Sequence, residues 1–180
     1  MTPIKLSERI KQTIRDVKDY PNPGIIFKDI TPVLADPSLC KAIVGQMAQQ
    51  FRSQQIDGIA AIEARGFIFG SILAHELNCS FIPVRKAGKL PFTTRSQQYD
   101  LEYGSASIEM HVDAVKPASR ILIHDDLLAT GGTASAAGEL VKGLGGTVAG
   151  FSFLINLSFL PGAQNITDRF GVIPHYLVSY

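Results

Sequence analysis

The stretch Ile121-Leu-Ile-His-Asp-Asp-Leu-Leu-Ala-Thr-Gly-Gly-Thr133 constrains this chain more than any other. It reads as a buried strand that ends in the paired carboxylates Asp125 and Asp126, then a loop of small residues that opens into a helix. A carboxylate pair can hold ribose hydroxyls or approach a hydrated metal. Consecutive backbone N–H groups followed by a helix N-terminus form an anion cradle. Polyol and phosphate side by side describe a phosphorylated sugar, whereas an acidic pair alone would pass for a solvated turn. The loop departs from two other phosphate motifs. No lysine follows Gly131-Gly132, as a P-loop requires. Gly143, Gly145, Gly146 and Gly150 come after the helix, where a helix stop and turn explain them better than a dinucleotide fingerprint does.

With 180 residues, 46% hydrophobic and 18% charged, the chain has the composition of one ordinary globular domain spanning 1–180. The net charge of +1 and the lack of a long basic run speak against nucleic acid as a partner. Cys40 and Cys79 lie far apart and outside any Cys-x-x-Cys or Cys/His spacing, so neither a disulfide framework nor a zinc site is expected, and a reducing cytosol fits. The start, Met1-Thr-Pro-Ile-Lys-Leu-Ser, has no apolar signal core. No apolar run approaches membrane-spanning length, which predicts a cytoplasmic protein with no membrane partner.

Strand and helix signals alternate along the chain. Ser7 is placed to cap a helix with the stripe Ile10, Ile14 and Val17, stopped by Tyr20-Pro-Asn-Pro-Gly24. Asp36-Pro37 reads as an N-cap and first helical proline, opening a helix with Cys40, Ile43, Val44, Met47 and Phe51 on one side. Gly58–Ile62 suits a buried parallel strand, 67–77 a helix and Phe81–Arg85 a strand. Residues 105–111 alternate apolar and polar, so a half-buried strand is expected with Glu109 on its wet side. A strand over 120–125, a helix over 133–144, a strand over 148–157 and a last one over 175–180 complete the pattern. The long piece 86–104 reads as irregular, and a loop of that length in a compact domain is usually functional or mobile. The alternation predicts an α/β fold with a central, mostly parallel sheet flanked by helices.

Ligands in such sheets bind beyond the carboxyl ends of the strands, and the polar clusters fall there. The strand 58–62 runs into Glu63-Ala-Arg-Gly66, which opens a helix and presents amides and a cation; Arg65 is unfavourable there for the helix dipole if it is only a surface residue. The strand 81–85 runs into Arg85-Lys86-Ala-Gly-Lys89, three cations in five residues. Such a cluster can neutralise a departing anion, and a solvated charge cluster would look the same. The strand 120–124 runs into Asp125-Asp126.

Four motifs in order resemble phosphoribosyltransferases of the type I fold, and their wording resembles the adenine-specific branch: Ile25-Ile-Phe-Lys-Asp-Ile-Thr-Pro32, Arg85-Lys-Ala-Gly-Lys-Leu-Pro91, Leu101-Glu-Tyr-Gly104 and Asp125-Asp-Leu-Leu-Ala-Thr-Gly-Gly-Thr133. The resemblance runs from Tyr20 to Leu157 and implies transfer of a 5-phosphoribosyl group from 5-phosphoribosyl 1-pyrophosphate to adenine, giving AMP and pyrophosphate in purine salvage. It further implies Mg²⁺ carried on the pyrophosphate, a homodimer, and a small N-terminal purine-binding hood over residues 1–35. Asp125 and Asp126 would hold the ribose hydroxyls, directly or through hydrated metal. Ala129, Thr130, Gly131, Gly132 and Thr133 would cradle the 5′-phosphate. Ala64, Arg65 and Gly66, with Arg85, Lys86 and Lys89, would meet the pyrophosphate, Arg65 and Lys86 acting catalytically. Glu102 would be the acid/base that exchanges a proton with the purine, under a lid that includes Tyr103. Ile26 and Lys28 would contact adenine through backbone groups and Phe27 through its ring face; a plain core role suits Phe27 as well. Two rival readings are a 6-oxopurine in place of adenine and a non-catalytic sensor of the same sugar pyrophosphate. His124 stands where the family usually has an aliphatic residue and is read as an interior or interface histidine, not a catalytic one.

Overall fold

The computed structural model describes residues 4–100 and 104–180. The chain divides into two compact units, one up to Gln46 and the other from Met47 onward.

The N-terminal unit contains helix α1 (Leu6–Thr13), strands β1 (Arg15–Lys18) and β2 (Ile26–Asp29), and the short helix α2 (Thr31–Leu34). The expected first helix is therefore shorter than its apolar stripe. Ser7 lies inside α1 and Lys5 occupies the cap position without a side-chain cap, while Ile14 is already extended. Val17 pairs with Phe27 across an antiparallel hairpin. The hairpin outcompetes the last helical turn because residues 15–18 gain a full cross-strand register, and Asp19 and Gly24, both at positive φ, form the connecting turn. Helix α3 (Pro37–Phe51) begins as expected: the Leu39 amide donates to Asp36 Oδ1 at 3.0 Å. That bond, the Ser38 hydroxyl and the Arg9 guanidinium hold the Asp36 carboxyl at about 2.

The second unit is built on seven strands: β3 (Gly58–Ile62), β4 (Ser80–Lys86), β5 (Thr94–Asp100), β6 (Ser105–His111), β7 (Arg120–Leu128), β8 (Thr147–Asn156) and β9 (His175–Ser179). Their order in the sheet is β5-β6-β4-β3-β7-β8-β9. The four pairings among β4, β3, β7, β8 and β9 are parallel, and β6 and β5 add an antiparallel edge. Helix α5 (Gly132–Gly143) packs Ala137, Leu140 and Val141 against Ala60, Ile62, Ile123, Phe151 and Phe153 on one face. Helix α4 (Gly66–Glu76) covers the other face so closely that a Cβ on Gly70 would lie 2.7 Å from that of Ala61. All five positions of β3 are buried, as a strand sandwiched between helix layers requires.

Four differences from the sequence reading have physical causes. Part of the piece expected to be irregular forms β5, a polar strand without apolar alternation that exists because its whole length pairs with β6. Glu109 on β6 is buried rather than wet. β7 does not end at the carboxylates but continues to Leu128, drawn on by pairing of Leu127 and Leu128 with Ile155 and Asn156. A further helix, α6 (Gly162–Phe170), follows β8 and closes at Gly171 in the left-handed region.

Candidate active site

Strands β4, β3 and β7 are parallel neighbours, so their carboxyl ends bring the Arg85–Lys89 turn, the Glu63–Gly66 loop and the Asp125–Thr133 segment side by side. The three clusters singled out in the sequence thus lie along one edge of the sheet.

The phosphate-type loop is made mostly of backbone. Gly131 caps α5 with φ +81°, a conformation open to glycine at little cost. A cavity of about 80 Å³ lies against the loop, lined by Asp125, Leu127 and residues 128–134. Helix α6 supports this loop from outside: a Cβ on Gly162 would stand 2.2 Å from the Ala129 carbonyl oxygen, and Asn165 Nδ2 donates to the Thr130 carbonyl at 2.9 Å. Neither supporting residue was singled out in the sequence. Leu160-Pro-Gly162 followed by Ile166, Phe170 and Gly171 is a helix signal that could have pointed to the first; nothing local points to Asn165.

Asp126 is almost fully buried and accepts an ion pair from Arg65, Nε to Oδ2 at 3.0 Å. Asp125 is half-buried and receives the Asp126 amide on Oδ1 at 2.8 Å. Burial and the neighbouring Asp126 charge raise the Asp125 carboxyl well above its ordinary range. Burial raises that of Asp126 too, with Arg65 opposing it. Two adjacent carboxyls present four oxygens that can accept hydrogen bonds from neighbouring hydroxyls, as a pair of ribose hydroxyls would need. Arg65 stands at the N-cap of α4 with its guanidinium turned to Asp126, so the dipole misfit is offset by a buried anion. Gly66 allows α4 to approach β7, since a Cβ there would fall 2.9 Å from Asp125 Oδ1 and 3.0 Å from the His124 carbonyl oxygen. The peptide between Glu63 and Ala64 is cis.

The basic turn is tied down by two carboxylates. Arg85 Nε donates to Glu63 Oε2 at 2.9 Å and the Lys86 amide to Glu63 Oε1 at 2.7 Å. Burial favours a protonated Glu63, but these bonds outweigh it and leave its pKa below the ordinary value. Glu109 accepts the Lys89 and Leu90 amides at 2.9 and 2.8 Å and the Thr94 hydroxyl at 3.1 Å. The Lys86 and Lys89 side chains are exposed, and among the described residues neither ammonium forms an ion pair or hydrogen bond. Arg85 is committed to Glu63 and to the Lys89 carbonyl, so it braces the turn.

Ile26, Phe27 and Lys28 form part of β2 in the N-terminal unit, where the Phe27 ring meets Tyr20 edge-on at 5.2 Å and Lys28 Nζ pairs with Asp16 at 2.7 Å. Glu102 and Tyr103 lie outside the described residues. His124 is fully buried under α4, its ring beside Gly70. No group of three or more His, Cys, Asp or Glu able to hold a metal occurs among the described residues. The donor set fits a hard cation carried on phosphate oxygens and touched through water by Asp125 and Asp126, rather than a protein cage. No helix among the described residues is long and apolar enough to cross a membrane.

The family model of the phosphoribosyl transferase domain matches residues 30–165. The adenine phosphoribosyltransferase of Nitrosococcus oceani is 51% identical over 173 residues, covering 96% of this chain and 99% of the relative. The crystal structure of adenine phosphoribosyltransferase from Thermoanaerobacter pseudethanolicus matches with a TM-score of 0.93 at 46% identity, covering 98% and 100% of the two chains. The Saccharomyces cerevisiae enzyme, solved with an imino-altritol bisphosphate and adenine, matches with a TM-score of 0.87 at 35% identity over 96% and 98%. With likeness of this extent in both sequence and fold, the chain belongs to the adenine phosphoribosyltransferase family.

Proposed function

We propose that this protein transfers the 5-phosphoribosyl group of 5-phosphoribosyl 1-pyrophosphate to adenine, releasing AMP and pyrophosphate. One observation carries the reading: a small-residue loop at a helix start, an adjacent carboxylate pair and a basic turn share the carboxyl edge of three neighbouring strands. Sugar 5′-phosphate, ribose diol and pyrophosphate need those three surfaces in that combination. Relatives named for adenine, about half identical over nearly the whole chain, support the choice of base.

In the reaction, N9 of adenine bonds to the anomeric carbon as the bond from that carbon to the pyrophosphate oxygen breaks. The electron pair leaves with the pyrophosphate and the imidazole proton of adenine is lost. Ala129, Thr130, Gly131, Gly132 and Thr133 hold the 5′-phosphate, chiefly through backbone N–H groups. Asp125 and Asp126 hold the ribose hydroxyls and so fix the face presented to the base. Ala64, Arg65 and Gly66 line the pyrophosphate, and Lys86 and Lys89 place positive charge where negative charge grows. Arg85 serves the same group by bracing the turn through Glu63. Magnesium, when bound to the pyrophosphate, supplies further charge neutralisation. Glu102 takes the purine proton and Tyr103 belongs to the lid, which keeps water from the oxocarbenium-like centre. Ile26, Phe27 and Lys28 receive the purine as part of the N-terminal segment 1–35. A homodimer and a cytoplasmic location complete the reading.

The test is AMP formation from the sugar pyrophosphate and Mg²⁺ with adenine, hypoxanthine, guanine and xanthine offered separately. Turnover confined to adenine is expected. Turnover with a 6-oxopurine would discard the assignment of the base. Tight binding of the sugar pyrophosphate without turnover on any base would make the protein a sensor.

A further inference from the structure

We propose that Glu109 is a positioning residue for the departing pyrophosphate, acting through the backbone of the basic turn; the inference rests on the reading that Lys86 and Lys89 meet that group. The turn has an unusual construction. Each of its two lysines has its own backbone N–H bonded to a buried or half-buried carboxylate, Lys86 to Glu63 at 2.7 Å and Lys89 to Glu109 at 2.9 Å. The charged ends of the same two residues are left exposed.

Glu109 is the more telling of the pair. It pairs across the sheet with Arg85, yet the Arg85 guanidinium goes to Glu63 and the Lys89 carbonyl instead. Among the described residues no lysine or arginine forms an ion pair with Glu109. Its carboxylate is satisfied by the Lys89 and Leu90 amides and the Thr94 hydroxyl, with Gly88 at φ +81° turning the chain around it. A ring of amides closing on an anion is a nest, and here the anion comes from the protein's own β6. Burial opposes ionisation of Glu109, but the amides of Leu90, Gly88 and Lys89 and the Thr94 hydroxyl more than compensate and hold its pKa below the ordinary value. The turn is thus folded around a fixed negative charge on its inner side, and the lysine side chains face outward. Without that charge the amides lose their shared partner and the turn has no reason to hold its ammonium groups in register.

The experiment compares Glu109→Gln and Glu109→Ala in the wild-type background and in a Lys86→Ala/Lys89→Ala background, measuring kcat and KM for each substrate. Glu109→Gln should raise the KM for the sugar pyrophosphate about tenfold, the size of a lost charge-assisted hydrogen bond, while the KM for adenine stays within about twofold. Glu109→Ala should do more. In the background lacking both lysines, neither substitution should change the KM further, because the device then has nothing to position. Should Glu109→Ala not fold, Glu109→Gln keeps the volume and an acceptor oxygen and carries the test. Equal losses for both substrates, or a full effect persisting without the lysines, would reduce Glu109 to a fold-stabilising residue. A lysine double variant with unchanged KM for the sugar pyrophosphate would overturn the pyrophosphate reading itself and this inference with it.

Discussion

The phosphate loop and the basic turn stand at the ends of β7 and β4, with β3 between them, and both are suited to anions, yet they are built on opposite plans. The loop at 129–133 uses backbone N–H groups at the start of α5, a glycine at φ +81°, and packing so tight that Gly162 of α6 admits no side chain. The turn at 85–90 uses flexible, exposed ammonium groups on a backbone folded around Glu63 and Glu109. On the proposed reading, one would bind by shape and fixed dipoles, the other by mobile charge on a fixed frame. That difference would suit the two ends of the sugar substrate, a 5′-phosphate that stays bound through the reaction and a pyrophosphate that must be held and then let go.

The largest effect should come from disturbing the rigid plan. Gly162→Ala puts a methyl group 2.2 Å from the Ala129 carbonyl oxygen, a backbone atom that no rotamer change can move. The loop or the start of α6 has to shift. A displacement near 1 Å at a substrate-positioning element costs about a hundredfold in kcat/KM. Steady-state kinetics with varied sugar pyrophosphate should show a loss of that order, and retained activity would mean that the loop is not the rigid partner.

The mobile plan should fail more gently and with a different signature. Lys86→Ala/Lys89→Ala should raise the KM for the sugar pyrophosphate about tenfold. Exposed charges are screened by salt, whereas amides in an enclosed cradle are screened much less. The wild-type KM for the sugar pyrophosphate should therefore climb between low and high ionic strength, and the double variant should show a flatter dependence. Competitive inhibition by ribose 5-phosphate, which lacks the pyrophosphate, should depend on salt less than substrate binding does. Equal salt slopes in wild type and variant would erase the contrast between the two regions.

The same contrast explains what could be read from the letters. The run Asp125 to Thr133 stands out because its telling residue types are contiguous, α3 because its apolar residues follow a helical period, and β3 because it is a short unbroken apolar run, buried at every position. The frame of the basic turn could not declare itself, because Glu109 stands twenty residues beyond Lys89 in an alternating strand where a polar residue reads as wet. β5 was illegible for a related reason: Thr94–Asp100 has no apolar rhythm and owes its conformation to β6. Val17 followed helical spacing from Ile10 and Ile14, yet the pairing of β1 with β2 took it, a tertiary preference outranking a local one. Asn165 reaches the Thr130 carbonyl from a separate helix, and nothing in its neighbourhood marks it.

His124 offers the smallest effect on activity and the sharpest control. It directly precedes Asp125 on β7, so it tests whether the cradle is insulated from the interior of its own strand. Its ring is fully buried, and burial pushes the imidazole down from 6.5 to about 4, opposed only in part by a contact with the Ser152 backbone. Between those two values the unfolded chain binds a proton that the folded chain refuses, so stability rises with pH there and is lost as pH falls from about 6.5 towards 4. At pH 5 the loss amounts to about 2 kcal/mol. His124→Leu removes the titrating group while keeping an apolar filling of similar size under α4. Urea unfolding at pH 7.5 and pH 5 should then show the wild type losing about 2 kcal/mol more than the variant on acidification, with kcat/KM at pH 7.5 unchanged within about twofold. The other acidic groups are common to both proteins, so the difference between the two curves isolates this ring. Parallel curves would mean that the folded protein accommodates the charged imidazole after all. A large loss of activity at neutral pH would mean that the rigid plan reaches back along β7 into the core.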